Sequence, residues 1–333
     1  MNLESIYLDL AVKEAFKYQL LTYPNPAVGA VVLHKGKIVA IEAHKRVGTS
    51  HAEVLALLLA YENISKKKID FDKSDATLAH DFLLNLPKGF FSECDIYVTL
   101  EPCSHIGKTP SCANLIANLK LNSVTIGALD PISSHSGGID MLKNAGINCI
   151  FLEHKGSKDL LEPFVIWQNR AFVIFKLAQT INAQIGGGYI SSKESLKHTH
   201  KIREVSTTLL IGGNTVRVDR PTLDCRFIDA KAPDIKIYSK KDNFDREIAL
   251  FSVSNRSVEV IDSLDFLNSR GLVLVEGGEG MLNAIKDKID WMLIYQSNKI
   301  ALKSLGYYAN LELEFLDSQI AGNNLRIYSR VKR

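Results

Sequence analysis

The sequence predicts two α/β domains joined in one chain. Its 333 residues exceed the roughly 100–200 that a single compact domain usually takes. The composition, 46% hydrophobic and 23% charged, supplies enough apolar residues for ordinary cores. Segments with strand and helix patterns alternate along the chain, as in a sheet covered by helices. We place the boundary near residue 153, which gives domains at 1–153 and 154–333.

The first domain begins with an amphipathic helix within residues 1–19. Beyond it, apolar β-branched runs predict strands, and runs rich in Ala and Leu predict helices. The predicted strands cover residues 27–33, 37–43, 95–100, 123–128 and 148–152, and the predicted helices cover 51–61, 111–120 and 140–145. Residues 62–93 do not fit this alternation. Within them, the charged segment 65–75 predicts a solvated surface insertion, and 77–86 predicts a further helix.

The second domain shows the same alternation. The strongly apolar segment 172–178 (FVIFKLA) opens it as a predicted strand. Further predicted strands cover 207–212, 235–238, 258–261 and 272–275, and predicted helices cover 195–205 and 281–287. The order of these segments therefore predicts a second α/β domain.

Composition narrows the range of functions. The net charge of +3 lacks the strong basic bias of a general nucleic-acid binder. Five cysteines, a small and odd number for this length, argue against a secreted disulfide framework and for a reducing compartment. Residues 1–19 have no apolar core followed by a small-residue cleavage site, and no apolar run approaches the roughly 18 residues of a membrane span. We expect a cytoplasmic protein without nucleic-acid or membrane partners.

His51, Cys103 and Cys112 have the residue types and order of a catalytic zinc site. One His and two Cys ligands leave the fourth zinc position open for water, whereas a structural site usually has a fourth protein ligand. Zinc lowers the pKa of such a water to near 7, which supplies hydroxide at neutral pH. Glu53 lies about 200° around an ideal helix from His51, so the two share a site only in the first helical turn. Pro102 predicts a chain reversal that presents Cys103 at or before a helix start, where the helix dipole favours thiolate.

This His-x-Glu, Pro-Cys and Cys pattern resembles the signature of zinc nucleobase deaminases. The resemblance implies that His51, Cys103 and Cys112 bind the metal. It also implies that Glu53 is the catalytic residue, which takes a proton from the water and delivers it to the ring nitrogen and the departing ammonia. The usual signature has two residues between its cysteines, but here eight intervene (SHIGKTPS). That loop is similar to the deaminase half of the bifunctional deaminase/reductases of riboflavin biosynthesis.

Residues 23–29 (YPNPAVG), 51–54 (HAEV) and 99–103 (TLEPC) carry the same resemblance, which covers the first 150 residues apart from 62–93. It implies a cytidine-deaminase-like, three-layer α/β domain. The implied substrate is a small molecule, 2,5-diamino-6-(5-phosphoribosylamino)pyrimidin-4-one. The residues expected to contact it are Asn25, His44, His105, Lys108, Thr109 and Asp130. The polar loop with Lys108 suits a phosphate, although an ordinary polar loop and, for His44, an ordinary surface histidine remain alternatives.

The second domain has no strand–GxGxxG–helix unit, so the Rossmann fingerprint is absent. Instead, residues 211–226 (IGGNTVRVDRPTLDCR) and 275–281 (VEGGEGM) resemble the reductase half of the same family, whose α/β fold is like that of dihydrofolate reductase. The resemblance implies that NADPH reduces the ribosyl group to ribityl. The residues implied in cofactor binding are Lys176, Ala178, Tyr189, Thr215, Asp219, Gly278, Glu279, Gly280, Met281, Leu282, Asn283 and Ala284, and those implied in substrate binding are Arg203, Leu223, Arg226 and Glu276.

This half also departs from the family. After residues 176–180 the family usually continues Leu-Asp-Gly-Arg, whereas this chain has residues 181–184 (INAQ) and a short loop over 185–189. One alternative is therefore a deaminase whose C-terminal domain binds ligand but reduces it poorly or not at all. Two others are a nucleic-acid-editing deaminase, which predicts a basic, aromatic-lined surface, and a zinc-stabilised scaffold, in which Glu53→Gln leaves function intact. A homo-oligomer formed through the reductase domain is a further expectation.

Overall fold

The computed structural model describes residues 2–105, 107, 109–132, 137–186, 190–301 and 305–333. The chain divides into two compact units, Met1–Val165 and Ile166–Arg333. Each unit is a mixed α/β structure, which confirms the predicted fold class. We keep the domain assignment 1–153 and 154–333 as a proposal, because most of the helix Lys155–Trp167 lies between the two divisions. In the part of the chain that the structure describes, no helix is both long and apolar enough to cross a membrane.

The first unit contains one five-stranded sheet. Its strands are β1 Gly29–His34, β2 Lys37–Ala43, β3 Cys94–Val98, β4 Ser123–Ile126 and β5 Asn148–Phe151, in the order β2-β1-β3-β4-β5. β1 pairs antiparallel with β2 and β3, whereas β3, β4 and β5 are parallel. The helices are α1 Leu3–Ala15, α2 Ala52–Ser65, α3 Ala76–Leu84, α4 Cys112–Leu119, α5 Gly138–Asn144 and α6 Lys155–Trp167.

Helix α2 forms the centre of this unit because its sequence is apolar on nearly every face. Its Ala, Val and Leu side chains belong to one core cluster with β1, β3, β4 and α4. On another side, Gly29 lets α1 approach β1 closely, since a Cβ there would lie 2.0 Å from the carbonyl oxygen of Ala11. The carboxyl ends of the parallel strands β3 and β4 lead into the segments that carry Cys103 and Asp130. Such strand ends meet at one edge of a sheet, which brings these two segments together.

The second unit contains an eight-stranded sheet. Its strands are β6 Ala171–Gln179, β7 Thr208–Gly212, β8 Asp234–Tyr238, β9 Val258–Ile261, β10 Gly271–Glu276, β11 Trp291–Ser297, β12 Leu313–Ala321 and β13 Asn324–Val331, in the order β12-β13-β11-β6-β10-β7-β8-β9. The strands from β11 to β9 in this order are parallel, and β13 and β12 add an antiparallel edge. The helices are α7 Lys193–Val205, α8 Gly213–Asp219, α9 Ala249–Ser252 and α10 Glu279–Ile285.

Every strand and helix predicted from the sequence has a counterpart within a few residues. Helices α6, α8 and α9 and the three C-terminal strands were not predicted from the sequence. β12 is an edge strand with many polar and exposed residues, so its sequence lacks the apolar run that marked the central strands. β11 carries such a run, WMLIYQS, and was predictable.

Candidate active sites

The first site is built around the start of α2. His51 is the N-cap of this helix, and Glu53 lies in its first turn, as the spacing of the two residues requires. Cys112 is the first residue of α4, and Cys103 lies in the loop that follows β3. The ligand atoms of His51, Cys103 and Cys112 all lie within 4.8 Å of one another. The structure therefore brings together the three residues predicted to bind zinc.

The distances between these atoms fit a zinc ion. The Nδ1 atom of His51 is 3.4 Å from the Sγ atom of Cys112 and 3.8 Å from that of Cys103. Zn–N bonds of about 2.0 Å and Zn–S bonds of about 2.3 Å at tetrahedral angles separate the nitrogen and sulfur atoms by roughly 3.5 Å. The donor set and its spacing thus suit zinc, with Nδ1 as the histidine ligand atom.

Helix α4 presents its N-terminal amides to Cys103. The amide of Cys112 donates to the Cys103 sulfur at 3.4 Å, and the amide of Ala113 donates to the Cys103 carbonyl at 3.1 Å. Ser111, the N-cap of α4, also donates its hydroxyl to that carbonyl at 2.8 Å. The next helix begins nine residues after Cys103, so Cys103 lies before a helix start rather than at one. The N-terminal end of α4, where the helix dipole favours a thiolate, faces Cys103 across the loop.

A hydrogen bond between Cys103 and Cys112 shifts their pKa values in opposite directions. A hydrogen bond from the Cys112 thiol, with further contributions from His51, lowers the pKa of Cys103 to about 4. The same hydrogen bond, together with burial, raises the pKa of Cys112. Cys103 is therefore the more acidic of the two cysteines, and metal binding would displace the thiol protons.

Thr109 has a role that the sequence analysis did not identify. Its Oγ1 lies 3.1 Å from the Nε2 atom of His51. Because Nδ1 faces the sulfurs, Nε2 carries the proton in the metal-binding tautomer and donates it to Thr109. Such partners orient metal-binding histidines and increase their affinity for the metal. Thr109 was predicted as a substrate-binding residue, and its position on the cavity wall is compatible with that prediction.

Glu53 has the properties of a general acid–base group. Its side chain is only 4% exposed and shares a hydrogen bond with the Cys112 thiol, which places it beside the metal ligands. Burial raises the pKa of its carboxyl group, with the thiolate of Cys103 adding to the effect. A raised pKa brings a carboxyl group closer to neutrality, where it can both accept and return a proton.

A cavity of about 260 Å³ opens over these residues. Besides His51, Glu53 and Cys103, it is lined by the predicted substrate-binding residues Asn25, His44, His105, Thr109 and Asp130. Lys108 lies outside the described residues. His44 is buried rather than on the surface, and burial, with the charge of His51 nearby, lowers its pKa to about 4. Its Nδ1–H donates to the Ser50 carbonyl at 3.2 Å, which leaves Nε2 with no partner among the described atoms.

Glu101 is a buried residue of this site that sequence reasoning did not single out. Its carboxylate accepts the backbone N–H groups of Asp130, Gly137 and Ile139 at 3.3, 3.1 and 3.1 Å. Gly138 allows this packing, since a Cβ there would lie 2.0 Å from the Pro102 carbonyl oxygen. Glu101 thus joins the segment that carries Cys103 to the one that carries Asp130. In the sequence, Glu101 is marked only by its place in the TLEPC segment. That segment does not indicate which groups the Glu101 carboxylate binds.

The second unit has a separate cavity of about 800 Å³ at the carboxyl ends of β6, β10 and β7. Most of the predicted residues line it, namely Lys176, Ala178, Arg203, Thr215, Asp219, Leu223, Glu276, Gly278, Glu279, Gly280, Met281 and Ala284. Three others are placed elsewhere: Leu282 is packed in the core, Asn283 donates to the Tyr308 carbonyl, and Arg226 is exposed and bonded to Asp224. Their assignments stay predictions. Tyr189 lies outside the described residues.

Glu276 is the centre of a charged network in this second cavity. Its two oxygens contact the Nε atom of Arg203 at 2.7 Å and the Nζ atom of Lys176 at 3.4 Å. The side chains of Glu276 and Arg203 are each only 11% exposed. Burial alone would raise the pKa of Glu276, but the charges of Arg203 and Lys176 lower it to about 2. The carboxylate is therefore ionised and leaves one net positive charge among the three groups.

The turn over residues 180–184 shows how the chain accommodates its departure from the family sequence. The Thr180 hydroxyl donates to the Asn182 side chain and accepts the Gln184 amide, at 2.7 and 3.0 Å. Asn182 also bonds to the backbone of Ala301. Ala183 takes a left-handed conformation with a φ of 56°, which favours glycine. Residues 181–184 thus form a hydrogen-bonded turn, although they differ from the residues that the family usually has there.

Comparisons with known proteins agree with the two-unit architecture. Residues 1–128 match the family described as the cytidine and deoxycytidylate deaminase zinc-binding region, and residues 171–296 match the RibD C-terminal domain. The chain is 35% identical over 245 residues to the riboflavin biosynthesis protein RibD of Aquifex aeolicus, which is 71% of this chain and 61% of that protein. It is 28% identical over 311 residues to the RibD of Corynebacterium ammoniagenes, which is 87% of this chain and 84% of that protein.

A solved structure shows the same arrangement of elements. The crystal structure of a diaminohydroxyphosphoribosylaminopyrimidine deaminase/5-amino-6-(5-phosphoribosylamino)uracil reductase from Thermotoga maritima matches with a TM-score of 0.65 and 25% identity over 99% of both chains. With two of the curated relatives, from Aquifex aeolicus and Bacillus amyloliquefaciens, the match spans only 61% and 58% of their length.

The fold and the His-Cys-Cys cluster define a zinc-deaminase-type domain followed by a reductase-type domain. Within that class, the chain belongs to the RibD family of riboflavin biosynthesis proteins. This confirms the resemblance that the loop between Cys103 and Cys112 indicated.

Proposed function

We propose that the protein is a bifunctional enzyme of riboflavin biosynthesis. In the first reaction, hydrolysis replaces an amino group of 2,5-diamino-6-(5-phosphoribosylamino)pyrimidin-4-one by oxygen and releases ammonia. In the second, NADPH reduces the ribosyl group to ribityl. The observation that supports the proposal most strongly is Glu53, a buried carboxyl group of raised pKa beside three residues whose spacing suits zinc.

In the deaminase site, His51, Cys103 and Cys112 would hold the zinc ion, which supplies a water of lowered pKa when bound. The Glu53 carboxylate would accept a proton and pass it to the ring nitrogen and the departing amino group of the substrate. Thr109 holds His51 in the ligating tautomer. His44, with its free Nε2 lone pair, and Asn25 would orient the pyrimidine, and His105, Lys108, Thr109 and Asp130 complete the predicted contacts.

In the reductase site, the nicotinamide of NADPH supplies a hydride when bound. Thr215, Asp219 and the residues of 278–284 would hold the cofactor, and Arg203, Leu223 and Glu276 would hold the substrate. The net positive charge of the Lys176–Glu276–Arg203 network suits the substrate's phosphate. Arg226 would reach the substrate only if its bond to Asp224 breaks. The small-molecule substrate, a cytoplasmic location and assembly into a homo-oligomer through the second unit complete the proposal.

One experiment tests both reactions. The zinc-loaded protein is incubated with the phosphoribosyl pyrimidine, with and without NADPH, and the products are weighed by mass spectrometry. We expect replacement of one amino group by oxygen in both samples and a further gain of two hydrogen atoms only with NADPH. No deaminated product would contradict the deaminase assignment, and deamination without reduction would favour a second unit that only binds ligand. Single-turnover NADPH oxidation with pre-deaminated substrate tests the reductase by itself.

A further inference from the structure

Residues 66–75, here called the strap, connect helices α2 and α3 without forming a helix or strand, and they turn at residues 73–74. It begins where Lys66 ends α2 in a left-handed conformation with a φ of 61°. It ends at Asp75, the N-cap of α3. The 14 residues of α2 are about 21 Å long, and ten extended residues reach at most about 35 Å, so the strap is long enough to return along the whole helix. It lies within the 62–93 stretch that did not fit the alternation of strand and helix patterns.

The first anchor of the strap is Glu62, near the C-terminal end of α2. One carboxylate oxygen accepts the Ile69 amide at 2.9 Å, and the other contacts the Lys73 ammonium group at 2.6 Å. The Glu62 side chain is only 5% exposed. These hydrogen bonds from Ile69 and Lys73 lower the pKa of Glu62, so the carboxylate is ionised and holds the strap with charge-assisted bonds.

The second anchor is Ser50, at the opposite end of α2. The Ser50 amide donates to the Ser74 carbonyl at 3.0 Å, and its hydroxyl donates to the Lys73 carbonyl at 2.8 Å. Ser50 is fully buried. The strap therefore satisfies both hydrogen-bond donors of this residue, although Ser50 and Ser74 are far apart in the sequence.

Ser50 is placed where it can affect the metal site. It directly precedes His51, and its carbonyl accepts the Nδ1–H of His44 at 3.2 Å. Helix α3, which follows the strap, also lies close to the site. Burial lowers the pKa of its buried residue His80, the charge of His51 lowers it further, and the charge of Cys103 acts in the opposite direction. The backbone that carries His51 is thus held on one side by the start of α2 and on the other by the strap.

We propose that the strap is a positioning element of the zinc site, which acts by fixing Ser50 and thereby the metal ligand His51 and the cavity residue His44. Ser50 is the positioning residue, and the Glu62–Lys73 pair keeps the strap in register with it. The chain would in this way use a charged surface segment to restrict its metal-binding backbone. This inference rests on the zinc site of the proposed function.

The test compares metal binding in Ser50→Ala, Lys73→Met and the control Ser92→Ala. Ser50→Ala removes the hydroxyl bond to the strap. Lys73→Met removes the ion pair with Glu62 but leaves the Lys73 carbonyl able to accept the Ser50 hydroxyl. Ser92→Ala removes a similar hydroxyl-to-carbonyl bond, at 2.8 Å to Gly89, which stays within its own loop. Each full-length protein is titrated with Zn²⁺ against a chelator and, after Co²⁺ substitution, its visible spectrum is recorded.

We expect the zinc dissociation constant to rise by about two- to tenfold in Ser50→Ala, which is the effect of one lost hydrogen bond. Lys73→Met should change it in the same direction, and Ser92→Ala should not. The Co²⁺ bands should shift in the first two variants, because they report the geometry of the nitrogen and sulfur ligands. If Ser50→Ala does not fold, Lys73→Met decides the question.

Two results would contradict parts of the account separately. The role of the strap would be overturned if Lys73→Met, and Ser50→Ala where it folds, bind zinc as tightly as the wild-type protein and show its Co²⁺ spectrum. A lower melting temperature in these variants would not change that conclusion. The proposed function would remain intact. Failure of the wild-type protein to bind zinc would overturn the proposed function itself.

Discussion

Replacing Thr109 by Val removes the hydrogen-bond acceptor of His51 while nearly preserving the shape of the side chain. In the zinc-bound site, His51 uses Nδ1 for the metal, so the proton on Nε2 must point to Thr109, 3.1 Å away. In the metal-free site, the ring can move its proton to Nδ1, which faces the sulfurs of Cys103 and Cys112. The substitution therefore weakens the zinc-bound state more than the metal-free state.

The size of the effect follows from the cost of an unsatisfied donor. That cost is about 1–3 kcal/mol, and 1.4 kcal/mol is about a tenfold change in affinity. We expect the zinc dissociation constant of Thr109→Val to rise between about fivefold and a hundredfold, which agrees with the usual effect of such partners. The lower limit applies where water from the cavity replaces the hydroxyl.

The assay is competition for zinc with a chromophoric chelator at fixed pH. Thr109→Ser is the matched control, because it keeps the hydroxyl and should bind zinc nearly as tightly as the wild-type protein. Equal zinc affinity in Thr109→Val and the wild type would refute the role of Thr109 as the partner of the metal ligand.

Three further predictions concern single residues. Glu53→Gln should keep its zinc but release ammonia at least about a hundredfold more slowly, as measured by an ammonia assay with metal analysis; loss of the metal together with activity would instead mean a structural role. Glu276→Gln should lower the free energy of unfolding at pH 7 by roughly 3 kcal/mol, because it leaves the cations of Arg203 and Lys176 unpaired. Since the pKa of Glu276 is about 2 against an ordinary 4.5, its contribution is present above pH 4.5 and is lost as the pH falls through 2. Urea unfolding followed by tryptophan fluorescence measures the stability of the second unit, which contains both tryptophans. If the free energy of unfolding falls equally steeply with decreasing pH in the variant and the wild type, the assignment is wrong. By the same assay, Ala183→Gly should stabilise the unit by about 1 kcal/mol, because it relieves the left-handed backbone; a loss of stability would show that the methyl group is needed.

The zinc site was predictable because its chemistry requires particular residue types. His51 and Glu53 share the start of a helix, and this spacing could be read directly from the sequence. Cys103 and Cys112 were recognisable despite their unusual separation, because the loop between them carries its own pattern. These patterns involve residues close together in the chain, so they can be recognised without knowledge of the fold.

The residues that hold the site in place were not predictable in the same way. Glu101 binds backbone amides around residues 130–139, and Ser50 binds backbone carbonyls of residues 73 and 74. Any residue has such amides and carbonyls, so the partners leave no mark in the sequence. The charged segment 65–75 looked like a solvated insertion, and its anchoring to Glu62 and Ser50 depends on contacts that appear only after the chain folds back along α2.

In the second unit, the glycine-rich segments and their flanking residues located the cavity correctly. The role of Arg226 was carried over by position and stays a prediction; its guanidinium group is bound at 2.7 Å by Asp224, only two residues away. Among the C-terminal strands that were missed, β11 was predictable from its own apolar run, whereas β12 was not. β12 gains its order from pairing with β13, and its own alternation of polar and apolar residues is weak.

X-ray absorption at the zinc edge, with metal analysis of the purified protein, tests the central claim most directly. We predict one zinc per chain, with two sulfur ligands at about 2.3 Å and two nitrogen or oxygen ligands at about 2.0 Å. These would be the thiolates of Cys103 and Cys112, the imidazole of His51 and one water, and Cys112→Ala should lose one sulfur scatterer or the metal. A protein without zinc, or a zinc ion with no sulfur ligand or with four protein ligands, would contradict the account.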